Sequence, residues 1–98
     1  MKKAERKRHL LGHAMAMAQE IGYMNVTRNP LARRAGVANG LVNVHWSTMQ
    51  QLRRAIMREA VRTENLGIIS QGLSMKDKVA LKAPEELRRR AAEEMVNG

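Results

Sequence analysis

Cysteine is absent from this 98-residue chain, which excludes disulfides, thiolate zinc sites and cysteine nucleophiles together. It also fits a reducing compartment, and the cytoplasm is the expected location. Phenylalanine is absent as well, and there is one Trp and one Tyr, so burial must come from Leu, Met, Ala, Val and Ile. Eight Met make such a core adaptable rather than rigid. A thin core of this kind gains stability from a second subunit. Long apolar runs are missing: Leu10–Ala18, which follows a basic start, is broken by Gly12 and His13 and reads neither as a signal peptide nor as a membrane span. No Ser/His/Asp arrangement, paired acids or Gly-rich phosphate loop can be assembled, which argues against an enzyme. His9 and His13 stand four apart, but no third ligand is in register, so neither a metal nor a cofactor is expected. Scarce aromatics argue against a platform for stacking single-stranded bases.

What the chain has in excess is positive charge, +9 with a pI near 11.1. Residues 1–62 hold twelve Lys or Arg against Glu5, Glu20 and Glu59, whereas residues 63–98 hold six charges of each sign. A polyanion-binding surface in the first part, beside a neutral packing or dimerisation element, accounts for the asymmetry. A plain solubility charge is the alternative.

The apolar spacing predicts an all-α fold. Leu10, Leu11, Ala14, Met17, Ala18 and Ile21 define one face of a helix over 4–21, ended by Gly22 in the left-handed conformation of a cap. Thr27 reads as the N-cap of a short helix reaching Ala35, with Pro30 harmless in its first turn. Gly36-Val37 is a turn, and a third helix spans 38–46. Ser47 or Thr48 caps a fourth helix reaching at least Arg62, and Thr48 with Gln51 has the form of a capping box. Beyond it, 66–73 reads as a short helix ended by Gly72, 74–83 as irregular, and Pro84-Glu85-Glu86 as the start of a last helix to about Val96. The domains expected are 1–62 and a short helical extension over 63–98.

Two short helices joined by a Gly-containing turn form a helix-turn-helix, which lays its second helix in the major groove of DNA. Gly22-Tyr23, Val26-Thr27, Leu31-Ala32, Ala35-Gly36-Val37, Gly40-Leu41-Val42, His45-Trp46 and Leu52 carry a wider pattern without a gap. That pattern resembles the N-terminal DNA-binding domain of the tetracycline-repressor (TetR) family. The resemblance implies a compact helical domain that binds double-stranded DNA as a homodimer at a partly palindromic operator, and it favours a repressor over an activator. Family members usually carry Ser at the position of Ala38, Tyr at Asn43 and often Lys near Met49. The family's ligand-binding domain generally exceeds a hundred residues, while about 36 follow Arg62 here. No small-molecule inducer is therefore expected.

Asn39, Leu41 and Asn43 are the leading base-readers, since Asn pairs bidentately with adenine and Leu meets a thymine methyl group. Helix capping for Asn39 and core packing for Leu41 are the alternatives. Gly40 serves either close approach to DNA or a tight turn. Thr27, Arg28, His45 and Thr48 are phosphate-contact candidates, against capping for the threonines and packing for His45. Val37, Val42 and Trp46 are assigned to the core. The Lys2–Arg8 cluster tracks phosphates, enters the minor groove or is a frayed terminus. Arg53, Arg54 and Arg58 face DNA or water, and Arg88-Arg89-Arg90 is a solvated face balanced by nearby Glu. Leu66, Ile68, Ile69, Leu73, Leu87 and Met95 form a dimer interface or close the monomer's own core. A protein-interaction module or inhibitor, and a non-specific nucleic-acid binder, are the alternative functions.

Overall fold

The computed structural model describes residues 2–97, which form seven α-helices and one 3-10 turn with no strand among them. None of these helices is long and apolar enough to cross a membrane. Two compact units are separated between Ile56 and Met57, a division that falls within the fourth helix.

In the first unit, α1 (Lys3–Ile21) is followed by the 3-10 turn (Tyr23–Asn25), α2 (Arg28–Ala35), α3 (Asn39–His45) and the start of α4 (Met49–Arg62). Leu10, Ala14, Met17 and Ala18 are the buried face of α1. Ile21 was expected on that face but is 48% exposed, because the chain turns away at Gly22. Gly22 has φ +91° and ψ 139°, a positive φ outside the left-handed helical region expected of it. The turn is held instead by Asn25, whose Nδ2 donates to the Ile21 carbonyl at 2.7 Å. Helix α1 packs on the 3-10 turn and on α2, and α2 packs on α3. Tyr23, Val26, Leu31, Ala32, Val42, Trp46, Leu52 and Ile56 complete the core. Val37, assigned to the core from sequence, is half-buried.

In the second unit, α4 is followed by α5 (Leu66–Ser74), α6 (Lys78–Leu81) and α7 (Glu85–Asn97). Ile68, Ile69, Ala80, Leu87 and Ala91 are buried, and α5 packs on both α6 and α7. Two expectations are corrected here. Gly72 does not end α5; it lies inside the helix, where an added Cβ would stand 2.6 Å from Met57 Cε and 2.7 Å from Ala80 Cβ. Its smallness serves close packing. The stretch 74–83, expected to be irregular, contains α6, whose first turn is capped by Asp77: Oδ1 accepts from the amides of Val79 (2.8 Å) and Ala80 (3.2 Å).

Candidate nucleic-acid interface

The turn between α2 and α3 is built from Gly36, whose φ +71° and ψ 33° place it in the left-handed region. The Val37 amide donates to Ala32 O at 3.0 Å and the Gly36 amide to Arg33 O at 3.2 Å, so the last carbonyls of α2 are satisfied within the turn. Ala38 is the extended N-cap residue of α3 and supplies no side-chain bond. Helix α3 is therefore stopped and started by backbone geometry, and packing holds it: Val42 is fully buried and Trp46 is 3% exposed.

At about 100° per residue, burying Val42 and Trp46 turns Gly40, Asn43 and Val44 outward, whereas Asn39, three residues before Val42, borders the buried side in the first turn of α3. All four are exposed, and Leu41 is half-buried on their flank. Three of the four expected base-readers thus share an open, uncharged face, and the fourth borders it. Gly40 has neither a positive φ nor any atom within 4 Å of an added Cβ, so no tight turn requires it. Val44, 64% exposed, was missed by sequence reasoning. The signal was there: two valines two residues apart on a helix point to different sides, so Val42 and Val44 cannot share the core.

The phosphate candidates divide. Thr27 stands at the N-cap of α2 with φ −126°, but its hydroxyl makes no capping bond, contrary to expectation. Thr48 does cap: its Oγ1 accepts from the Gln51 amide at 3.1 Å. The return bond of the expected box is shifted by one residue, because Gln51 Oε1 accepts from the Ser47 amide (2.9 Å) and the Ser47 hydroxyl (3.0 Å). Arg28 is half-buried and its Nη2 donates to the Ser47 carbonyl at 2.6 Å. That bond brings Thr27, Arg28, Ser47 and Thr48 together, where the starts of α2 and α4 expose backbone amides. Arg53 is likewise engaged inside the unit, donating from Nη2 to the Met24 carbonyl at 3.2 Å. Arg34 is held by Glu20 through paired bonds of 2.7 and 3.0 Å. The same hydrogen bond lowers the Glu20 carboxyl below its ordinary range.

His45 stands apart from that corner. It lines an open groove of about 420 Å³ with Lys3, Ala4, Lys7 and Val44. Burial, reinforced by Lys3, Lys7 and Arg6, lowers its pKa below the ordinary histidine value, so the ring is neutral near pH 7. Its Nε2 atom is buried and has no hydrogen-bond partner. The Lys7 ammonium also lies 5.9 Å from the centre of the Trp46 ring, within reach of a cation–π attraction.

No curated protein and no solved structure gives a match. The family model for bacterial regulatory proteins of the tetR family matches residues 10–56, which begin in α1 and end in α4. That span holds the Gly36 turn, the buried Val42 and Trp46 and the open face of α3. Residues 10–56 of this chain are accordingly an N-terminal helix-turn-helix domain of the TetR family of DNA-binding transcription regulators.

Proposed function

We propose that the protein binds double-stranded DNA in a sequence-specific manner, as a homodimer over a partly palindromic operator, and acts as a cytoplasmic repressor with α3 in the major groove. The observation that carries this reading is the face of α3: Asn39, Gly40, Asn43 and Val44 exposed and uncharged, backed by a buried Val42 and Trp46. Such a face discriminates bases by hydrogen bonds and methyl contacts rather than by charge. Asn39 and Asn43 are assigned to adenine edges, and Leu41 and Val44 to thymine methyl groups. Gly40 lets the helix backbone come close. Phosphates fall to Thr27, Arg28 and Thr48, with the neutral ring of His45 as a further donor. Arg28 then has a second task, fixing the start of α4 through Ser47.

In this reading residues 1–62 bind DNA and residues 63–98 serve packing or dimerisation. Ile68, Ile69 and Leu87 are buried within their own unit and are not available to a second copy. The half-buried Leu66 and Leu73 and the exposed Met75, Leu81, Met95 and Val96 are the apolar residues left for that purpose. The Arg88–Arg90 run is engaged locally: Arg88 Nε donates to Ala83 O at 2.8 Å, and Arg90 pairs with Glu64 at 3.0 Å.

Two variants test the assignment on a specific and a random duplex. Asn43→Ala is expected to lose about 1–3 kcal/mol of discrimination, the worth of one bidentate base contact, with random-duplex binding little changed. Arg28→Ala is expected to weaken both duplexes alike. Equal losses on both duplexes in both variants would remove the base-reading role from α3.

A further inference from the structure

We propose that the groove between the first turns of α1 and the C-terminal end of α3 is a separate phosphate site, where Lys3 and Lys7 hold a phosphodiester of the DNA backbone beside the face read by α3. The inference rests on the DNA-binding reading above and adds to it residues that lie before the span shared with the family.

Lys3 and Lys7 are one helical turn apart on α1, and both line the groove with the small Ala4 between them. No carboxylate pairs with either lysine among the described residues, although Arg34, Arg62, Arg89 and Arg90 all have one. On the opposite wall, Val44 belongs to the exposed face of α3, so an anion seated here lies at the edge of whatever α3 reads.

The floor of the groove lacks a partner of its own. His45 Nε2 is buried and unbonded, and an unpaired buried polar atom is costly unless something arrives to meet it. A phosphate in the groove sets its charge against the two ammonium groups, and a turn of the His45 ring that exposes Nε2, protonated there, gives that atom an acceptor. Burial first, and then Lys3, Lys7 and Arg6, disfavour a proton on His45, in keeping with a positive potential at the groove.

Two features select a polymer backbone over a free ion and over the minor groove. The depression is open rather than enclosed, so a continuous strand can cross it. The cations ride on α1, helical from Lys3 and packed against α2, and not on a loose arm able to follow the minor groove.

The test is the salt dependence of binding to a specific and a random duplex, for the wild type and for the double variant Lys3→Gln/Lys7→Gln. Each lost phosphate contact lowers the magnitude of the log–log slope by about 0.9. The double variant is expected to lower it by about 1–2, to weaken both duplexes equally, and to keep a cooperative melting transition, lowered no further than loss of the Lys7–Trp46 cation–π attraction requires. Lys76→Gln/Lys78→Gln, in exposed positions of the second unit, removes the same charge and is expected to leave the slope unchanged. An unchanged slope in the groove variant, or an equal fall in the charge-matched control, would overturn the phosphate site while leaving the DNA-binding reading intact. Failure of the wild type to bind duplex DNA would overturn both.

Discussion

Gly40 separates stability from function within one residue. Glycine inside a helix costs about 0.5–1 kcal/mol relative to alanine. Here nothing in the fold requires it, since its φ is not left-handed and an added Cβ would meet open space. Gly40→Ala is therefore expected to raise the melting temperature and, at the same time, to weaken binding to a specific duplex, because the new methyl group would stand on the face that we propose meets DNA. A variant that is both more stable and equally tight in binding would show that the backbone of α3 never comes close. The side chains around Gly40 were legible in sequence to different degrees. Asn39 and Asn43 announced themselves as polar residues on a short helix between apolar anchors. Val44 was legible only by inference, since with Val42 assigned to the core a valine two residues on must point to another side. Lys3 and Lys7 were visible as part of a basic cluster, but a cluster has no geometry until α1 is seen to bring two of its members to His45.

The helices follow the same division between local and non-local causes. Helix α2 and its turn were legible because Gly36 is needed at a positive φ, a requirement that one residue type satisfies best. Helix α6 was not: four residues are too few to show a period, and Asp77 at its start was its one local mark. Gly72 was misread as a stop because a glycine near the end of an apolar run usually is one. Its actual role depends on Met57 and Ala80, which are distant in sequence. Gly72→Ala should consequently behave opposite to Gly40→Ala. Its gain in helix propensity, about 1 kcal/mol, is set against overpacking of about 1–3 kcal/mol. Met57 Cε can move aside, but the Ala80 Cβ is fixed to the backbone of α6, so overpacking wins. Thermal melting is expected to show a net loss of stability for Gly72→Ala; a gain would mean that α5 and α6 have room to separate.

At the scale of the whole molecule, charge and shape point to the same partner. The net +9 arises within residues 1–62, which include the open face of α3, the corner joined by Arg28 and the lysine-lined groove. Residues 63–98 are neutral in sum. In the proposed reading the first part gains affinity from phosphates and the second serves packing or dimerisation. The most direct measurement of that claim is a selection from random duplex DNA, followed by binding of the enriched sequence and of random duplex at two salt concentrations. The account predicts an enriched inverted repeat, bound well above random duplex, with an affinity that falls steeply as salt rises. Salt-sensitive binding without any enriched sequence would contradict it, because α3 would then touch DNA without reading it.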